Sequence, residues 1–231
     1  MSDRLGTFYS KEFYKERDDG SSQSAIVILQ LLFKYYKPRT VVDIGCGQGS
    51  WLAAAEAMGC TELKGIDGAW VEKDQIKSKN IEFQVVNFTE NIPELNKKYD
   101  LCMCLEVAEH LPESMSRSFI DFLCSASDVV LFSAAVKGQG GRNHINEQWQ
   151  SYRINLFHFN DYTCLDFIRG AVWNNPLVEW WYRQNTFVFL RPDHPLNASS
   201  KLLNVNNSIA NVVHPDLYEQ KMGYFRSLID S

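Results

Sequence analysis

Val41-Val42-Asp43-Ile44-Gly45-Cys46-Gly47-Gln48-Gly49-Ser50-Trp51 is an apolar, β-branched run that enters three glycines at alternate positions and leaves into a helix-like segment. Glycine accepts positive φ and has no Cβ, so this turn lets the backbone pass close to a ligand at the carboxyl end of a strand. The spacing is not the dinucleotide fingerprint. That pattern needs a glycine where Ser50 stands, to pack the helix and seat a pyrophosphate on its N-terminus. Asp43 before the turn and Asp67 at the end of the next apolar run suit a ligand with an ammonium group and a ribose diol, and would repel phosphates.

Outward from the turn, β-rich runs at 40–44, 61–66, 81–86, 99–105 and 128–135 alternate with helix-like segments near 50–58, 70–77, 90–96 and 113–126. Such alternation predicts a parallel sheet of βαβ units. A buried helix over 24–36, stopping before Pro38, precedes the first strand. After the fifth strand comes a glycine-rich loop, Lys137-Gly138-Gln139-Gly140-Gly141-Arg142-Asn143-His144, then a helix around 160–170. Two further runs at 177–183 and 186–191 flank Arg183-Gln184-Asn185 and predict a tight hairpin.

With Asp43-x-Gly45-x-Gly47-x-Gly49 the chain resembles the class I S-adenosylmethionine (SAM) methyltransferases, whose first motif has this form. The resemblance covers roughly residues 22–192. It implies an α/β, Rossmann-like fold, a mostly parallel seven-stranded sheet closed by an antiparallel edge hairpin. It also implies SAM as cofactor, held by Asp43, Gly45, Cys46, Gly47 and Gly49 of the loop. Asp67 and Gly68 follow strand two and would meet the ribose hydroxyls. Asn87 and Phe88 follow strand three, where the family commonly has Asp; the Asn87 amide oxygen would accept from the adenine amino group and Phe88 would lie along the ring. Leu105 and Glu106 complete the set after strand four.

Methyl transfer to a hydroxyl needs near-attack geometry and a base. Ligands of open α/β sheets lie beyond the carboxyl ends of the strands, which points to the segments after strands four and five. The first holds Glu106-Val107-Ala108-Glu109-His110-Leu111, a form shared by several methyltransferase groups, including ubiquinone-pathway O-methyltransferases and small-RNA terminal 2′-O-methyltransferases. Two roles follow from that resemblance. His144 or His110 acts as base, with His144 ahead; or Glu106, Glu109, His110 and His144 bind a divalent cation, the less favoured reading. Arg142, Asn143, Asn146, Glu147, Gln148 and Trp149 of the loop are candidate acceptor contacts, with the loop as a lid. His158, between Phe157 and Phe159 at an expected helix entrance, reads as a packed or capping residue.

The chain has 231 residues, 45% of them apolar, enough for one domain with a substantial core. A net charge of −5 argues against a broad nucleic-acid-binding face. Six cysteines without Cys-x-x-Cys spacing read as reduced core thiols. With neither a leader pattern nor an apolar run long enough to span a bilayer, the expectation is a cytoplasmic protein without a membrane partner. Residues 1–21, with Tyr9, Phe13 and Tyr14, are expected to form a lid over the cofactor. Residues 193–231 form an extension, read as a packing tail with a homodimer contact as runner-up. The leading functional expectation is O-methylation of a small polar or glycan-type acceptor, such as a sugar in polysaccharide biosynthesis. N-methylation of a small amine, metal-dependent RNA 2′-O-methylation and a non-catalytic SAM-binding subunit are the alternatives.

Overall fold

β1 (Thr40–Ile44), β4 (Leu101–Leu105) and β5 (Val129–Ser133) form the centre of the sheet, and the last two are buried along their whole length. Strands covered on both faces by helices read as continuous apolar runs rather than alternating ones, and Leu101-Cys102-Met103-Cys104-Leu105 is one. In this computed structural model residues 11–200 and 210–229 are described, with side chains for 20–197 and 210–229. The seven strands lie in the order β3-β2-β1-β4-β5-β7-β6, with β2 at Glu62–Asp67, β3 at Ile81–Val85, β6 at Thr163–Leu165 and β7 at Phe187–Leu190. All neighbours are parallel except β5–β7 and β7–β6. The order reverses between β1 and β4, which opens a crevice at their carboxyl ends.

Helix α1 (Lys11–Leu32) packs on α2 (Ser50–Ala57) over one face, burying Ala25, Ile28, Leu29 and Leu32. It starts earlier and ends earlier than the sequence pattern suggests. Gly20 lies within it under the Glu179 side chain: a Cβ there would stand 2.1 Å from Glu179 Oε1, and that carboxylate would have to swing aside. On the other face α3 (Ser116–Ala126) turns Phe119, Ile120, Phe122 and Leu123 inward, beside α4 (Gln150–His158). Phe157 of α4 stacks on Phe189 of β7 at 3.8 Å between centroids. His158 ends α4 and is exposed, so it is neither at a helix entrance nor packed.

Four other sequence expectations are corrected. The 70–77 segment forms only a 3-10 turn at Lys73–Gln75, with Val71 its one buried apolar residue, too little to anchor a longer helix. Residues 90–96 stay irregular because Pro93, in their middle, lacks the amide donor a helix interior needs. The 160–170 stretch divides into β6 and α5 (Phe167–Val172), with Asp161 at φ 60 turning the chain between α4 and the strand. The 177–183 run is not a strand: Trp180–Asn185 is helix α6, and the strand that pairs with β7 at the sheet edge is β6. The helix buries Tyr182, Gln184 and Asn185 together, an arrangement that strand alternation would have split between two faces.

The chain beyond β7 folds back onto the domain. Helix α7 (Pro195–Ser200) buries Leu196, and α8 (Pro215–Ile229) seats Leu217 at 4% exposure. Of the N-terminal segment, residues 1–10 with Tyr9, and the side chains of Phe13 and Tyr14, lie outside the described residues. Among the described residues no helix is long and apolar enough to cross a membrane. The cysteines are all free thiols, five buried and Cys164 half-buried.

Candidate active site

A cavity of about 690 Å³ opens over the carboxyl ends of β1 and β4. Its floor is the glycine turn. Gly45, Gly47 and Gly49 have φ of 78, 53 and 81°, the region that favours glycine. A Cβ on Gly45 would also lie 2.3 Å from Val107 Cγ2, so the turn and the segment after β4 close on each other across this residue. Asp67 fixes the turn from β2: Oδ2 accepts from the Gly47 amide at 2.7 Å and Oδ1 from the Gly68 amide at 2.6 Å. Gly49 and Gly68 shape this floor without lining the cavity; Asp43, Gly45, Cys46, Gly47, Asp67, Asn87, Phe88, Leu105 and Glu106 all line it.

The floor is acidic and under strain. Asp43 is 2% exposed and its Oδ2 has no hydrogen-bond partner. Burial, and then the charge of Asp67, push its pKa well above the ordinary range. Burial lifts Asp67 to about 6 against the pull of its two amide donors and Trp70. Glu106 is raised by burial too, and Ser133, Gln139, Asn185 and the nearby His144 counter part of that. Its backbone is at φ 56, uncommon for a residue with a side chain. Gln139 Nε2 donates to its Oε2 at 3.1 Å and Asn185 Nδ2 to its Oε1 at 3.4 Å. Buried carboxyls short of partners around a Cβ-free turn suit a ligand that brings an ammonium group and hydroxyl donors.

Asn87 is less simple. Its Oδ1 already accepts from the Thr89 amide at 3.2 Å and hydroxyl at 2.8 Å, which occupies both lone pairs expected to meet an adenine amino group. Phe88 is 6% exposed and packs edge-on against Phe119, 5.7 Å between centroids, so only part of its ring meets the cavity.

The far end of the cavity is built by the loop after β5. Its two positive-φ glycines, Gly138 and Gly140, aim their amides at one carboxylate: they donate to Glu147 Oε2 and Oε1 at 2.8 and 2.6 Å. The same Oε1 lies 2.9 Å from Nδ1 of His144. That contact holds the proton on Nδ1 and leaves the Nε2 lone pair free for chemistry. The rings of His144 and His110 meet edge to face at 4.9 Å, and both line the cavity.

Glu109 lies beneath, fully buried, with neither oxygen hydrogen-bonded and Oε1 4.0 Å from His144 Nε2. Burial, and then the charge of Glu106, raise its pKa strongly; the backbone at Glu109 and Ala135 and the Arg153 charge act the other way. Ligand atoms of Glu109, His110 and His144 all lie within 4.8 Å of one another. Glu106 is not part of this group.

Of the remaining candidate acceptor contacts, Arg142 lines the cavity and the others do not. Asn146 is 4% exposed and donates to Ser116 Oγ at 3.0 Å, in a brace completed by Arg153, whose Nη2 donates to the Asn146 carbonyl at 3.0 Å. Gln148 donates to Asn146 Oδ1 at 3.2 Å, and Trp149 is 40% exposed away from the cavity. Asn143 turns the loop at φ 58 and presents its carbonyl 3.3 Å from His110 Nδ1. Glu147 faces the loop and His144, not the cavity. Sequence reasoning missed Gln139 and Lys221, which line the cavity beside an aromatic wall of Trp180, Trp181 and Tyr182. The Gly138-x-Gly140 spacing with a following acid was the available signal for Glu147; α8 left none.

A family described as a methyltransferase domain matches residues 21–186. The ribosomal protein L11 methyltransferase of Fusobacterium nucleatum is 27% identical over 126 residues, 51% of this chain and 40% of that protein. The chain thus spans well under half the length of that relative. Magnesium protoporphyrin IX methyltransferase from Synechocystis PCC 6803, solved with bound SAM, superposes with a TM-score of 0.57 at 18% identity, over 80% of this chain and 93% of that one. The methyltransferase domain of bacterial CtHen1 superposes with a TM-score of 0.52 at 16% identity, over 74% and 98%. At these identities the structural likeness is one of fold.

Proposed function

Because the chain belongs to the methyltransferase-domain family, we propose that it is a SAM-dependent O-methyltransferase of a small polar or glycan-type acceptor, with His144 as general base. The observation that carries this reading is the Glu147–His144 pair, an imidazole oriented by a carboxylate that two backbone amides hold in place. The glycine turn, Asp43 and Asp67 would hold SAM, whose sulfonium supplies an electrophilic methyl group. Bound SAM would supply the methyl group and leave as S-adenosylhomocysteine (SAH), and His144 Nε2 would take the proton that the acceptor hydroxyl gives up. A cavity of about 690 Å³ lies within the usual ~300–1,000 Å³ of small-molecule sites and must hold cofactor and acceptor together, which favours a small acceptor.

The orphaned carboxylate of Glu109 supports one second reading. A divalent cation at Glu109, His110 and His144 would satisfy both of its oxygens and polarise the acceptor hydroxyl. One experiment separates the two: incubate the protein with labelled SAM and a panel of sugars, nucleotide-sugars, amines and small RNAs, with and without EDTA. The base reading expects transfer to a hydroxyl acceptor that survives EDTA. Loss of activity in EDTA, restored by a divalent ion, transfers the role to the cation. SAM binding without transfer to any acceptor would sink both.

A further inference from the structure

Helix α8 lies outside the stretch that the methyltransferase family matches, yet Gln220, Lys221 and Tyr224 on one flank of it line the cavity. Its seat is built rather than incidental. His214, just before it, is 3% exposed; its backbone amide donates to Gln184 Oε1 at 2.7 Å and its Nε2 lies 2.9 Å from the Trp173 carbonyl. Gln184 Nε2 lies 3.3 Å from Gln139 Oε1, and Gln139 holds Glu106. Asp216 pairs with Arg183 at 2.6 Å. A buried hydrogen-bond chain therefore ties the start of α8 to the floor of the active site, so the position of its cavity-facing flank is fixed relative to that floor.

Lys221 is half-buried on that flank, its ammonium reaching over the glycine loop, where a Cβ on Gly140 would stand 2.8 Å from Nζ. No described residue forms a hydrogen bond or ion pair with it. The nearby acid, Glu147, is committed to Gly138, Gly140 and His144. Arg142, from the same loop, lines this end of the cavity as well. Among the residues that line the cavity, the carboxyls of Asp43, Asp67 and Glu106 stand at the cofactor end and the cations Arg142 and Lys221 at the end where the acceptor must enter, while Glu147 and Glu109 lie behind His144 and outside the lining.

We propose that Lys221 is an acceptor-binding residue and that the acceptor carries an anionic group, a carboxylate or a phosphate, which docks against Lys221 and Arg142 while a hydroxyl reaches His144. The proposal rests on the reading of His144 as the reacting end of the cavity. A partly desolvated ammonium without an ion-pair partner gains more from an anion than an exposed lysine does, because little water competes for it.

The test reads binding, not turnover, so it stands apart from the role of His144. The full-length protein, loaded with SAH, is titrated calorimetrically at low ionic strength with inorganic phosphate, acetate, glucose, glucuronate and glucose 6-phosphate. Wild type should bind the anionic probes at least tenfold more tightly than glucose. Lys221→Gln should lose about tenfold on those probes, and Lys221→Arg should retain most of their affinity. A stronger response to phosphate and glucose 6-phosphate assigns a phosphate; a stronger response to acetate and glucuronate assigns a carboxylate. Unchanged SAH affinity in each variant shows that α8 is still seated. Equal binding of anionic and neutral probes by wild type, no detectable anion binding, or an unaltered anion affinity in Lys221→Gln would each overturn the proposal.

Discussion

Replacing His144 by alanine is expected to lower turnover by about 10²–10⁴-fold while SAM affinity stays within about twofold, because general-base catalysis is worth that much and the imidazole is held by Glu147 of its own loop rather than by the glycine turn after β1. The residue that follows it in effect is Glu147. Its carboxylate touches no part of the cavity lining; it orients the imidazole, so Glu147→Gln should cost about 10–100-fold in turnover, the range seen when an orienting partner is lost. Glutamine keeps one acceptor, for Gly140 and His144, and turns its amide nitrogen towards the Gly138 amide, so the variant also loses one hydrogen bond that closes the loop. Single-turnover rates with labelled SAM, beside calorimetric SAM affinities, separate the two effects. Near-normal turnover in His144→Ala removes the base assignment. A Glu147→Gln enzyme slower than His144→Ala would mean that the carboxylate, not the ring, does the chemistry.

The glycine turn and the parallel half of the sheet were legible because they are local. Val41–Ile44 is a β-branched run, and the turn after it depends on backbone conformations that glycine alone adopts freely, so residue type and structure correspond one to one. Asp67 was legible for a related reason: a carboxyl at the end of β2 has few places to point other than the turn beside it. The edge of the sheet was not. Trp180-Trp181-Tyr182 has the aromatic content of a strand, but the ring of Tyr182 packs edge-on against Trp51 at 5.2 Å and its neighbours Gln184 and Asn185 need buried amide partners. Tertiary packing decided that segment, and propensity carries no information about it. The acceptor loop failed differently. Its polar residues were rightly placed after β5, yet whether Glu147 faces a ligand or Asn146 faces Ser116 is set by the αL turns at Gly138 and Gly140 and by Arg153 from another helix. Lys221 is the extreme case, since eighty residues of chain separate it from Gly140 and only the folded molecule brings them together.

Asp67→Ala is expected to weaken SAM binding by about 10²-fold or more and to leave the rate at saturating SAM far less affected. Two charge-assisted hydrogen bonds to a ribose diol are worth at least ~3 kcal/mol together, and the substitution also deprives the Gly47 amide of its acceptor, loosening the turn that forms the cavity floor. Asp67→Asn should be nearly as damaging, because one of its two acceptor atoms becomes a donor facing an amide donor. The pH dependence distinguishes a ligand-binding acid from a purely structural one. Burial holds the Asp67 pKa at about 6 in the folded protein, above the usual carboxyl value of 3.8. On the proposed role a ribose hydroxyl would donate to the ionised form, so SAM affinity should be full above pH 7 and about tenfold weaker at pH 5. Stability of the unliganded protein responds with the opposite sign. Because the folded state binds this proton more tightly than the unfolded chain does, the Asp67 contribution favours folding increasingly as pH falls from about 6 towards 4. Calorimetric titration at pH 5 and 7.5, with urea unfolding at the same two values in wild type and Asp67→Ala, reads both. A SAM affinity in wild type that is flat across that range would remove Asp67 from the cofactor's contacts and leave it as the fastener of the glycine turn alone.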